Sequence, residues 1–194
     1  MMKFNLVPFL LLLFVLELSA QTKNEKESRI QLSEFPAHAQ ITINSIIKEV
    51  KRIRHYKEID GNLESFESKF KFKNHWYSVE FSKSGDLEDL EITIKERQLD
   101  ATVKNTIKNY LKHHFLKYDI IKIQEQYTSS HTTEAQVFLK TILENRNSID
   151  SNFEIIIAVK SSEGWELKEL TFNTTGEFLK SRDIQQDSYE YIMY

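Results

Sequence analysis

The chain has no cysteine. Disulfides, thiolate metal sites and lipid attachment through a Cys are therefore excluded, and the fold must hold together by its core alone. Glycine occurs only four times, which leaves no Gly-rich phosphate loop, and neither His-Glu-x-x-His nor G-x-S-x-G is present. The net charge of −3 gives no general basic field for nucleic acid. Positive charge is local, as in KEVKRIRHYK from Lys48 to Lys57, where a solvated strand face explains it. Beyond the first twenty residues no stretch is long and apolar enough to span a bilayer.

What the first twenty residues do contain is one Lys near the start, an apolar stretch from Leu6 to Leu16, and Ser19 and Ala20 before Gln21. This three-part layout predicts a secretory signal peptide over 1–20, although Leu18 is not the small residue an ideal cleavage site carries. Pro8, Glu17 and the polar run QTKNEKESR argue against an uncleaved anchor. The expected location is the periplasm or the outside, with no membrane span after cleavage. The remaining length suits one domain or two small ones.

Residues 21–33 are polar and without period, so they read as a flexible N-terminus. From Pro36 the apolar positions Ala39, Ile43, Ile46, Ile47 and Val50 recur at helical spacing. Then the period becomes two. KRIRHYKEI is followed by SFESKFKFK, in which Phe66, Phe70 and Phe72 alternate with charged residues. Asn74 and His75 connect to a strand in which Tyr77, Val79 and Phe81 alternate with polar residues and Trp76, and Gly85 leads into a strand carrying Leu90, Ile92 and Ile94. At Leu99 the order begins again. Asp100 is placed to cap a helix with Val103, Ile107, Tyr110 and Leu111 on one stripe, and four strands follow: DIIKIQEQY, FEIIIAVK, GWELKELTF and EFLKSRDI. The stretch 129–152 has no counterpart in the first half and reads as a loop or a short amphipathic helix around 134–143.

The two halves share one turn. FSKSGDL runs from Phe81 to Leu87 and FNTTGEF from Phe172 to Phe178. The repeat predicts an α+β fold of two tandem units, each one helix packed on a four-stranded antiparallel sheet, spanning 34–97 and 98–186, with a tail over 187–194. A helix opened by FPAHA, the strand WYSVEF, the Gly turn and a closing strand together resemble the PepSY-like family of exported bacterial proteins, across roughly residues 32–186. That resemblance implies the helix-on-sheet fold of the beta-lactamase inhibitor protein and a noncatalytic binding or inhibitory module without a fixed target. The second half lacks the Pro and carries the 129–152 insertion.

No catalytic constellation stands out, and no cofactor or metal is required by any motif. The acids Asp86, Glu88, Asp89 and Glu91 are clustered, but they lack calcium-loop spacing, and a solvated strand face accounts for them. His113 and His114 are adjacent on a helix, about 100° apart, and cannot readily share one metal; the helix C-terminus explains them. Asn173 fits a glycosylation pattern, yet it lies in the repeated turn.

The sharper signal is Trp76 and Trp165. Each lies an odd number of residues from the Phe that closes its strand, so both side chains are expected on the face away from the helices. That open face would dock a protein partner through the two tryptophans, with Lys69, Lys71 and Glu80 at the rim. The bland account has the tryptophans covering an inter-unit seam, or a bulge returning them to the core. The other functional reading is a carrier for a small apolar or peptide ligand held between sheet and helix or between the units.

Overall fold

In the computed structural model, residues 22–128 and 134–185 are described. The expected signal peptide, the segment 129–133 and the tail from 187 lie outside them. The elements are strands β1 (Thr22–Lys23) and β2 (Glu25–Ile30), helix α1 (Ala37–Asn44), strands β3 (Lys51–Asp60), β4 (Leu63–Phe72), β5 (His75–Ser82) and β6 (Leu87–Ile94), helix α2 (Ala101–His114), strand β7 (Tyr118–Thr128), helix α3 (Ala135–Asn145), and strands β8 (Asn152–Lys160), β9 (Trp165–Phe172) and β10 (Phe178–Ile184).

Eight of these strands fall where alternation places them, but they do not form two units. All ten belong to one sheet, in the order β1-β10-β9-β8-β7-β6-β5-β4-β3-β2. The expected fold of two separate four-stranded sheets is therefore incorrect. β6 and β7, the edges that two such sheets would have left open, pair antiparallel from Asp89 opposite Thr128 to Ile94 opposite Ile123. An exposed edge carries a row of unpaired backbone groups, and joining the halves at this point satisfies both edges at once.

The second correction concerns the N-terminal segment. Residues 22–30, expected to be flexible, form β1 and β2, which sit at opposite ends of the strand order while being neighbours in the chain. β1 pairs parallel with β10 and β2 pairs antiparallel with β3. One short piece of chain thus touches both outer strands, and the sheet curls until it is nearly closed. Asn24 lies between the two strands, and its backbone N–H donates to Asp60 at 3.0 Å. Alternation could not reveal this, because Glu25, Glu27 and Arg29 on one face and Lys26, Ser28 and Ile30 on the other give the segment no apolar face.

All three helices pack on the outer face. Ala39 and Ile43 from α1, Val103, Ile107 and Leu111 from α2, and Phe138, Leu139 and Ile142 from α3 meet Phe70, Phe81, Leu90, Ile155 and Phe172 of the sheet in one core. Burying a side chain of this size contributes about 1.5–3 kcal/mol. α2 is held at its start by Asp100, whose carboxylate accepts from the Thr102 N–H at 2.8 Å. α3 is the amphipathic alternative expected for the insertion. α1 stops at Asn44 instead of running to Val50; the hydroxyls of Thr42 and Ser45 donate back to the carbonyls of His38 and Thr42 and compete with the helical pattern.

The repeated turn is real at the level of local geometry. In both copies the residue after Phe and the residue after Gly close the loop, Ser82 N–H to the Asp86 carbonyl at 2.8 Å and Asn173 N–H to the Glu177 carbonyl at 2.9 Å. Gly85 has φ 91° and Gly176 φ 84°. Each glycine also presses on a helix: a Cβ at Gly85 would lie 2.7 Å from Pro36 Cβ, and one at Gly176 would lie 2.8 Å from the Val103 carbonyl oxygen. Phe81 and Phe172, the opening residues, are both fully buried.

Candidate functional site

Strand alternation that sends apolar residues to the helices sends charged ones to the other face, and curling turns that face into a lumen. Glu58 on β3 neighbours Glu27 across β2. Tyr56 lies opposite Glu67, Glu67 opposite Glu80, and Glu80 opposite Asp89. Glu154 and Glu169 continue the set on β8 and β9, and both are buried. The acids read as a solvated strand face, Asp89 and Glu91, belong to this set, and only Asp86 and Glu88 face solvent freely.

A buried charge is tolerable when it is paired and hydrogen-bonded. Lys69 Nζ lies 2.6 Å from Glu27 and 3.0 Å from Glu67. Lys23 Nζ lies 2.7 Å from Glu25 and 2.9 Å from Glu169, and Arg182 holds the other Glu169 oxygen at 2.8 Å. Ser78 donates to Glu67, Gln124 to Glu91, and Gln126 to Asp89 at 3.0 Å. Burial opposes the Glu169 charge, but Lys23 and Arg182 outweigh it and bring the carboxyl down to about 2.

Carboxyls that make no ion pair with a described residue behave in the opposite way. Burial and the neighbouring Glu67 push Glu58 well above the usual range. Asp89 and Glu91 border the lumen but lie deep among protein atoms; burial raises both strongly, and Glu80 and Glu154 add to the effect. Glu80 is pushed up to about 7, chiefly by burial, despite its hydrogen bond with Ser65. Burial and mutual repulsion thus favour the neutral form of these four carboxyls, while Glu67 and Glu169, beside their cations, are shifted the other way.

At one end the lumen opens into a cavity of about 960 Å³. Its wall comes from the end of β2, the start of β3, the β4–β5 hairpin, the end of β6 and the start of β7, and it includes Arg29, Arg52, Arg54, Tyr56, Trp76 and Lys122. Two irregularities shape it. A bulge between Lys51 and Arg54 of β3 puts Arg52 at φ 57°, and a bulge between Ile120 and Lys122 interrupts β7. Bulges bend a strand and re-aim its side chains.

Of the residues singled out in the sequence, Trp76 lies in the cavity wall, 38% exposed, on the face away from the helices. Lys69 lines the cavity too, but as the cation between Glu27 and Glu67 rather than at a rim. Glu80 is deeper, and Lys71 is a half-buried neighbour of Trp76 across the β4–β5 pair. Trp165 also faces away from the helices and is 41% exposed. It is not in this cavity; Lys117 and Lys160 lie over its ring at 5.4 and 5.9 Å. The two tryptophans do not form one open aromatic surface, because the face that would carry it is curled inward. Sequence reasoning missed Arg29, Arg52, Arg54 and Lys122. The run KRIR was visible, but as solvated charge.

Glu27, Glu58 and Glu67 offer carboxylate oxygens within 4.8 Å of one another. The Lys69 ammonium already supplies the positive charge between two of them, so the group is an internal ion cluster. The Ser68 hydroxyl and His55 Nδ1 lie 2.9 Å apart, but on the helix side of the sheet, where His55 packs on Phe35, and neither residue lines the cavity.

No protein-family model matches the chain and no curated protein matches it significantly. Solved structures do. A DUF2874 family protein from Bacteroides ovatus superposes with a TM-score of 0.51 at 13% identity, over 77% of this chain and 87% of that one. A protein described as periplasmic, from Bacteroides eggerthii, gives 0.50 at 12% identity over 77% and 88%. A BLIP-like protein from Bacteroides fragilis gives 0.47 at 11% identity over 76% and 86%. At these identities the likeness is one of fold alone. The expected kinship with exported bacterial proteins thus holds as a shared fold with a DUF2874 protein, and none of these three is described as PepSY. No helix among the described residues is long and apolar enough to cross a membrane.

Proposed function

We propose that this protein is an exported, noncatalytic binding module of the periplasm that holds a small ligand, or the end of a peptide, in the mouth of its curled sheet. The signal-like N-terminus and the fold shared with a periplasmic protein support the location. The observation that carries the function is the cavity of about 960 Å³ with Trp76 and Tyr56 in its wall. Ligand sites are typically about 300–1,000 Å³ and recur at the mouths of β-barrels.

Docking of a whole protein surface on an open sheet is the weaker reading, since the inner face curls around a space too small for a folded partner. A ligand between sheet and helices is disfavoured for a different reason: Phe70, Phe81, Leu90 and Phe172 fill that layer with almost no accessible surface.

The test is native mass spectrometry of the chain purified gently from its own envelope fraction, beside Trp76→Ala and Trp165→Ala variants. A small-molecule adduct on the parent and on Trp165→Ala, absent from folded Trp76→Ala, is the expected result. An adduct retained by Trp76→Ala would sink the proposal, as would an adduct-free parent whose Trp76 emission does not respond to envelope small-molecule extract.

A further inference from the structure

The charges around the mouth are unlike those deeper in the lumen. Lys23, Lys69 and Arg182 are each tied to carboxylates. Arg29, Arg52, Arg54 and Lys95 all line the cavity, and none of them makes an ion pair with any described residue; Lys122 lines it too, but burial opposes its charge and Glu91 already acts on it. The two carboxylates in the same wall are already engaged, Glu67 by Lys69 at 3.0 Å and Glu96 by Lys108 at 2.5 Å. A chain whose net charge is −3 has therefore gathered unpaired positive charge around one concave space.

The backbone is shaped to keep it there. Arg29 stands opposite Tyr56 on β2, and Arg54 opposite Lys69 on β3. Two residues before Arg54 the bulge holds Arg52 in the left-handed region, where a side chain other than Gly, Asn or Asp is uncommon and costs free energy. Like charges so arranged repel one another until a counter-charge enters. Beside them the wall is apolar and aromatic, with Ile53, Ile121 and Trp76.

We infer that the mouth takes a small amphipathic anion, with an oxyanion head group among the arginines and an apolar body against Trp76 and the isoleucines. Guanidinium groups match carboxylate, sulfate and phosphate oxygens in paired hydrogen bonds, and the apolar wall rewards a body that inorganic ions lack. This assignment rests on the cavity being the binding site and adds the class of molecule that fills it.

The test uses two probes that share one apolar body. 1-Anilinonaphthalene-8-sulfonate carries an oxyanion, and N-phenyl-1-naphthylamine is the same skeleton without it. Both are titrated by fluorescence against the full mature chain, the Trp76→Ala variant, and an Arg52→Asn/Arg54→Gln double variant, with near-ultraviolet circular dichroism confirming native packing. Asn is chosen at 52 because it tolerates the left-handed backbone. An Arg29→Gln/Lys95→Gln pair serves if the first double variant does not fold. The sulfonate is expected to bind the parent more tightly by on the order of 10- to 100-fold, to weaken with added salt, and to lose that advantage in the double variant. Dodecanoate should displace it and inorganic phosphate at equal concentration should not. Equal affinity for the two probes, both weakened by Trp76→Ala, would overturn the anion assignment and leave the cavity reading standing. Displacement by phosphate as strong as by dodecanoate would remove the apolar half of the assignment. Affinities for both probes unmoved by Trp76→Ala would overturn the cavity reading itself.

Discussion

The Arg182 guanidinium on β10 lies 3.8 Å from the Asp60 carboxylate on β3, although the two strands are separated by almost the whole strand order of the sheet. The contact crosses the seam at which β1 and β2 join the edges. The same guanidinium lies 2.8 Å from Glu169, whose side chain is only 2% exposed. These two ion pairs differ in worth. The first is long and partly solvated, and such pairs contribute about 0–1 kcal/mol. The second neutralises a buried charge, and removing one partner of a buried pair costs about 3–5 kcal/mol.

Substitutions at the seam should separate the two. Arg182→Met is expected to lower the unfolding free energy in urea by about 2–4 kcal/mol, the lower end reflecting Lys23, which remains on Glu169 at 2.9 Å. Asp60→Asn should cost less than about 1 kcal/mol. Equal losses would mean that closure of the sheet, and not the buried Glu169 charge, is what Arg182 secures.

The glycine turns give a second measurement. Gly61 and Gly176 both have positive φ, at 60° and 84°, but nothing lies within 4 Å of a Cβ built on Gly61, whereas one on Gly176 would meet the Val103 carbonyl oxygen at 2.8 Å. Gly61→Ala should cost about 1 kcal/mol from backbone conformation alone. Gly176→Ala should cost about 2–4 kcal/mol, since α2 must also give way. Thermal unfolding of the two variants side by side is sufficient, and equal midpoints would remove the helix contact from the explanation.

That turn was legible in the sequence because its requirements are local: a buried Phe, a small loop and a glycine that must adopt positive φ. Strands β3 to β10, the Asp100 cap and the sidedness of Trp76 and Trp165 were legible for the same reason. What alternation could not convey is what the polar face meets. Glu58, Glu67, Glu80, Glu154 and Glu169 recur on one face of successive strands, and a solvated surface and a closed lumen both produce that pattern. The choice is made by residues 22–30, whose pairing partners are at Asp183–Ile184 and at His55–Asp60, and nothing in EKESRI specifies either. The cavity was hidden with it, because Arg29 and Arg54 become neighbours only after β2 has paired with β3.

Aromatic residues on the two faces should respond differently to truncation. Phe172 is fully buried against α2, with Tyr110 edge-on at 5.4 Å, and Phe172→Ala should cost about 3–5 kcal/mol. Trp76 and Trp165 are 38% and 41% exposed, so Trp76→Ala and Trp165→Ala should each cost no more than about 1–2 kcal/mol. Denaturant midpoints read this directly. A Trp76→Ala loss as large as that at Phe172 would reveal a structural role and deprive the ligand tests of their meaning.

The lumen makes stability depend on pH in a definite direction. Glu80 is raised to about 7 by burial, and Glu58, Asp89 and Glu91 are raised in the same direction. In the unfolded chain these groups ionise near pH 4–4.5, so between that range and their folded values the native state binds the extra protons. A carboxyl raised on folding stabilises below its unfolded pKa, and that contribution is lost as pH rises through the folded value. Glu169 acts in the opposite sense. Lowered to about 2, it stabilises above its unfolded pKa, and its contribution is lost as pH falls from about 4.5 towards 2. The two limbs place maximal stability at mildly acidic pH, with a decline through neutrality. A tenfold change in proton affinity is worth about 1.4 kcal/mol, so Glu80 alone accounts for on the order of 2–3 kcal/mol between about pH 5 and pH 9. Urea titrations across that range should show the decline in the parent, and Glu80→Gln, which keeps the shape and removes the ionisation, should flatten it. A parent whose stability rises through neutral pH would overturn the upward shift of these carboxyls.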